Sequence, residues 1–157
     1  MPHDSALGTA QPSEYLQKGT IFKTNFPSDF RWVRRVIQQA ISALESNGMG
    51  VEQLGSVEIV LAEALNNIAE HAYPEDAPGD VSLSIRRRQT GLLIEVRDKG
   101  ARMPDGRAPI GHHPLRNPDD PIPEGGYGWF LIRELVRDLI YDRRDGENFL
   151  IFRMAFP

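Results

Sequence analysis

The chain contains no cysteine, which excludes a disulfide framework, a thiolate metal site and a Cys/His nucleophile pair. No apolar run approaches the roughly 20 residues needed to cross a bilayer. The opening Met-Pro-His-Asp-Ser has neither the basic stretch nor the apolar stretch of a secretion signal. Lysine is scarce, occurring only at Lys18, Lys23 and Lys99, so the basic residues are overwhelmingly arginine. With a formal net charge of -4, the chain lacks the basic excess by which a general nucleic-acid binder neutralises phosphates. No direct nucleic-acid contact and no membrane association are therefore expected, and the run Arg86-Arg87-Arg88 reads as the solvated end of a strand. Also missing are Gly-x-x-x-x-Gly-Lys-Ser/Thr and Gly-x-Ser-x-Gly, which excludes a P-loop NTPase and a nucleophile-elbow hydrolase.

What is present suits one compact domain: 157 residues, 40% of them hydrophobic and 25% charged, enough for a proper core. Residues 1–19 are polar and interrupted by Pro2, Gly8, Pro12 and Gly19, the pattern of a flexible arm. Residues 20–26 alternate as a strand. Pro27-Ser28-Asp29 then stops the strand and caps a helix to about Ser46, with Phe30, Val33, Ile37, Ile41 and Leu44 on its expected buried face. A second helix is expected over about 51–72, broken by Tyr73-Pro74. Strands follow at 80–88, with Val81, Leu83 and Ile85 inward, and at 92–98. A third helix is expected over about 127–138, and a closing hairpin turned at Asp145-Gly146. Helices and strands in this order predict an α+β two-layer sandwich, three helices on one face of a mostly antiparallel, mixed sheet.

Three short motifs carry chemistry. On the second helix Glu63, Asn67 and His71 recur every fourth residue and share one stripe, beside the apolar stripe of Leu61, Ala64, Leu65 and Ile68. A carboxylate one turn from an amide can activate a hydroxyl while the amide oxygen holds a hard cation such as Mg²⁺; alone, such a stripe is also what a solvated helix face carries. Asp98-Lys99-Gly100 closes a strand, where a carboxylate can accept from an exocyclic amine of adenine and glycine lets the base lie against the backbone. Gly125-Gly126-Tyr127-Gly128 runs into the third helix, whose first amides suit a phosphate chain, although a tight turn needs the same glycines.

In this order the three motifs resemble those of the histidine-kinase-like ATPase superfamily and, within it, the anti-sigma factor serine/threonine kinases. The resemblance runs over roughly residues 20–156 and implies the Bergerat ATP-binding fold. It implies Glu63 as catalytic base, Asn67 as magnesium ligand, and His71 as the histidine closing the Glu-x-x-x-Asn-x-x-x-His form of the anti-sigma branch. Asp98 and Gly100 match the adenine box, Gly126 and Gly128 the glycine box, with Tyr127 at its variable position. The hairpin of residues 145–150 resembles the family's last one. The implied organisation is an arm over 1–19 and a single ATPase domain over 20–157, with an ATP lid at about 101–124. That lid holds Pro104, Pro109, Pro114, Pro118, Pro121 and Pro123, half of the chain's 12 prolines, so it can be neither a helix nor a central strand. Its Arg102, Arg107, Arg116, Asp119 and Asp120 could reach phosphates or a partner, and its His112-His113 pair, with no third ligand evident, reads as plain loop.

The expectation is a small cytoplasmic bacterial regulator. By resemblance it binds ATP and Mg²⁺, phosphorylates a serine or threonine of an anti-sigma-factor antagonist (a STAS-type domain), holds a sigma factor inactive and works as a homodimer. Arg31, Arg34 and Arg35, off or at the edge of the first helix's apolar stripe, are the candidate partner contacts. The competing expectation is a binding module gated by nucleotide, with little or no phosphoryl transfer, acting on another signalling partner.

Overall fold

The computed structural model describes residues 19–111, 119 and 127–156. Strand β1 spans Thr20–Pro27, helix α1 Phe30–Ser46, helix α2 Val51–His71, β2 Asp80–Arg88, β3 Gly91–Asp98, helix α3 Tyr127–Leu135, β4 Arg137–Arg144 and β5 Glu147–Ala155. The strands form one sheet in the order β1-β2-β3-β5-β4, and every pairing is antiparallel. The expected two-layer α+β arrangement with a mostly antiparallel sheet is borne out, and among the described residues the sheet has no parallel pair. β1 with β2, β2 with β3 and β4 with β5 pair as neighbours in sequence, and β5 inserts antiparallel between β3 and β4.

Local chemistry sets the boundaries. Asp29 caps α1 by accepting from the Arg31 backbone N–H at 2.7 Å, and the Asn47 side chain donates to the Ala43 carbonyl at 2.8 Å at its other end. Gln53 accepts from the Gly50 N–H at 3.2 Å to open α2. Asp145 and Gly146 both take positive φ, 52° and 77°, the conformation a two-residue hairpin turn demands.

The core lies between the helices and one face of the sheet. Val33, Val36, Ile37, Ala40 and Leu44 of α1 and Val57, Val60, Leu61, Ala64, Leu65 and Ile68 of α2 are buried with Leu83, Ile85, Ile94, Val96, Leu150 and Phe152 of the strands. Two expectations fail here. Phe30 is 54% exposed, its ring lining a groove between α1 and α2, and Ile41 is only partly buried; the buried stripe instead runs through Val36 and Ala40. Helix α3 also ends early, at Leu135. The next residues pair with β5 across a bulge in which Asp138 takes φ 53°, since ladder bonds and cross-strand packing outweigh the helical pattern of the sequence. Among the described residues no helix is long and apolar enough to cross a membrane.

Candidate functional site

A cleft of about 440 Å³ opens where the C-terminal half of α2 meets the ends of β3 and β5. Asn67, Ile68, His71 and Ala72 form one wall, Asp98, Asn148 and Leu150 the floor. Ala101 to Pro104, Pro109, Trp129 and Tyr141 close the other side. Two of the three sequence motifs therefore meet in one cavity.

Asp98 is 6% exposed. Its Oδ1 accepts from the Gly100 N–H and from Asn148 Nδ2, both at 2.9 Å. Oδ2 has no donor among the described residues, yet it is not among the fully buried unpaired atoms there, so one carboxylate oxygen remains open to the cleft. Burial raises the Asp98 carboxyl above its ordinary value near 3.8; the bonds from Asn148 and Gly100 and the charge of Arg143 act against that rise, and Glu147 adds to it. Gly100 is required by packing: a Cβ there would collide with the Ala72 carbonyl oxygen, and the same oxygen accepts from the Ala101 N–H at 2.7 Å. The end of β3 is thereby welded to the end of α2.

Of the stripe along α2, Asn67 and His71 reach the cleft. Asn67 is half-buried on the cleft wall, and its carboxamide makes no hydrogen bond among the described residues. His71, at the exposed end, has Nε2 3.7 Å from Glu70 Oε2. Glu63 does not line the cleft; it lies one turn further back, half-buried against the start of α3. A Cβ on Gly128 would strike its Oε2, so glycine at 128 lets the helix opening approach the carboxylate. Gly126 lies outside the described residues, as do His112 and His113, Arg116, Asp120 and the rest of 1–18, 112–118 and 120–124 in the expected arm and lid.

The described stem of the expected lid is more ordered than its prolines suggest. Pro104–Gly106 forms a 3-10 turn, Ala108 is buried, and Arg133 of α3 donates to the Pro109 and Ala108 carbonyls at 2.7 and 2.9 Å. Arg102 brings a cation to the cleft. The sequence reading missed Asn148, Tyr141 and Trp129 as cleft residues. Asn148 did leave a signal, as the one polar residue in the inward alternation Asn148, Leu150, Phe152, Met154.

Comparison with known proteins decides the family. The histidine kinase-like ATPase domain profile matches residues 26–154. The chain belongs to that family. It is 36% identical over 88 residues to the serine/threonine-protein kinase BtrW of Bordetella bronchiseptica, covering 56% of this chain and 61% of that protein. It is 28% identical over 106 residues to the serine-protein kinase RsbW of Bacillus cereus, covering 66% of each. A match to RsbW of Bacillus mycoides, 27% identical over 138 residues, covers 87% of this chain and 86% of that one. The matches to BtrW and to the Bacillus cereus protein each span just under two thirds of the relative's length.

On the α1 surface, Arg31 pairs with Asp29 at 3.4 Å and Arg35 lies over the Trp32 ring at 5.3 Å. Arg34 lines the separate groove between α1 and α2, about 390 Å³ in volume, with Phe30, Glu58 and Asn66. All three arginines are exposed, as expected.

Proposed function

We propose that this member of the family is an ATP-dependent protein serine/threonine kinase that phosphorylates an anti-sigma-factor antagonist and holds a sigma factor inactive while that antagonist is unavailable. The observation that carries the reading is Asp98: a buried carboxylate with one oxygen committed internally and the other open to the cleft, beside a glycine that leaves room for a flat base. The open oxygen accepts from the exocyclic amine of adenine. The kinase names of the relatives support the reaction class.

The phosphate chain runs from the base toward Asn67 and the opening of α3. The donor set fits a Mg²⁺ ion shared with the nucleotide. Asn67 offers an unpaired amide oxygen, and phosphate oxygens and water would complete the shell. Bound there, the ion would neutralise the β- and γ-phosphates. Glu63 accepts the proton of the substrate hydroxyl as its oxygen bonds to the γ-phosphorus and the bond to the β–γ bridging oxygen breaks, releasing ADP. Amides at the start of α3 offset charge on the transferred group.

The test is incubation with labelled ATP and Mg²⁺ and each candidate STAS-type antagonist from the same organism. Label on one antagonist's serine or threonine is expected; nucleotide binding with no transfer to any of them would leave a nucleotide-gated binding module. The partner surface, on a homodimer, is assigned to Arg31, Arg34 and Arg35. Arg34→Glu with Arg35→Glu should weaken capture of the cognate partner and leave ATP affinity intact, and unchanged capture in a pull-down would clear α1 of that role.

A further inference from the structure

Asn148 is 4% exposed and its carboxamide has no hydrogen-bonding capacity left for a ligand. Nδ2, with two protons, lies 2.9 Å from Asp98 Oδ1, 3.0 Å from the Ala101 carbonyl and 3.3 Å from the Gly100 carbonyl. Oδ1, with two lone pairs, accepts from the Tyr141 hydroxyl at 2.6 Å and from Arg143 Nη1 at 2.8 Å. The orientation of the amide is set by its neighbours' chemistry, since a guanidinium cannot accept and neither a carboxylate nor a carbonyl can donate. The hydroxyl of Tyr141 in turn accepts from the Met103 N–H at 3.0 Å, and Arg143 Nη1 donates to the Gly100 carbonyl at 2.9 Å. One saturated side chain thus ties Asp98 and residues 100–103, the root of the lid, to the β4–β5 hairpin.

We propose that Asn148, clamped by Tyr141 and Arg143, is a positioning residue that sets Asp98 and the lid root for a 6-aminopurine nucleotide without itself touching the base. The inference rests on the nucleotide reading of the cleft. Asn148 commits Asp98 Oδ1 and so presents Oδ2 alone at a fixed angle. It also orders the backbone from Gly100 to Met103 before any ligand arrives, which lowers the ordering cost of binding.

Calorimetric titration of ATP with Mg²⁺ into the full chain, beside a thermal melt of each variant, tests it. Tyr141→Phe keeps the ring and removes the hydroxyl's two bonds, and Kd should rise about 5- to 20-fold. Asn148→Asp keeps the size and the acceptor for Tyr141 and Arg143 but turns the donor facing Asp98 into a second carboxylate. A proton shared by the pair restores that donor, so the ratio of its Kd to the wild-type Kd should fall as pH drops from about 8 to about 5.5. The other ionisable groups whose charge acts on Asp98 or is acted on by it are Arg143 of β4, Glu147 of β5 and Tyr73 beyond α2. They stand in both proteins, as do His71 and the nucleotide's phosphates, so their titration cancels from the ratio to first order. Kd values within twofold of wild type for both variants, or a loss in Asn148→Asp that is the same at every pH, would overturn the proposal. No heat from the wild type would instead sink the nucleotide reading beneath it.

Discussion

Arg97 and Asp98 are neighbours on β3 whose side chains leave the sheet on opposite faces, and they hold their charge in different ways. Arg97 stands on the open face, within 2.9 Å of Glu147 and 3.8 Å of Glu95, its guanidinium 5.0 Å from the Phe149 ring that Arg144 also covers. Water reaches that face, so pairing there costs little and gains little. Asp98 lies under the helices, where an unpaired carboxylate is costly, and it is tolerated because Asn148 and Gly100 supply donors. Apart from Asp98 and the Asn148 bonded to it, the strand residues buried on that face are apolar. A polar group kept there calls for a reason other than stability, and ligand recognition provides one.

The largest effect expected from disturbing this contrast is on the reaction. Glu63→Gln should slow transfer to an antagonist by about 10² to 10⁴-fold with ATP affinity retained, because the base acts on the hydroxyl and not on the bound nucleotide; Asn67→Ala should lose Mg²⁺-dependent binding too. Undiminished label transfer by the glutamine variant would remove Glu63 from the mechanism. Next comes the apolar part of the covered face. Phe152, fully buried, should lose about 3 to 5 kcal/mol of stability on replacement by alanine, read by denaturant unfolding.

Asp98→Asn should follow, weakening ATP by about 1.5 to 3 kcal/mol in calorimetry while leaving the melting temperature no lower. The sign of its pH dependence is fixed by the direction of the shift. The folded carboxyl holds its proton more tightly than the unfolded one, so Asp98 makes the fold less stable above its raised value, and that loss fades as pH falls toward its ordinary 3.8. On the proposed reading, nucleotide binding needs the ionised form and should fade over the same descent. Asp98→Asn should erase both slopes, and a variant that keeps the wild-type pH profile would place the titration elsewhere. The smallest effect belongs to the open face. Arg97→Ala should cost under about 1 kcal/mol of stability and leave ATP affinity unchanged.

Periodicity revealed the helices and strands because each repeats one choice, apolar or polar, along its length. The same rule exposed the Glu63, Asn67 and His71 stripe. It failed at Phe30, where an apolar residue at the first turn has only a groove beside it, and at the end of α3, where pairing with β5 overrides a helical pattern. Asp98 and Gly100 were legible as a strand ending in a carboxylate and a glycine. The clamp behind them was not, because Tyr141, Arg143 and Asn148 meet Asp98 only through cross-strand register, and register is a property of the folded sheet.

Arg133 ties the far end of α3 to the chain before residue 110. At 1.5 Å per residue it stands about 7.5 Å along the axis from Gly128, and its guanidinium is hooked to the chain at Ala108 and Pro109. A helix barely compresses along its length. A displacement of the glycine end along the axis would therefore be carried to residues 108 and 109, to which the far end of the helix is bonded.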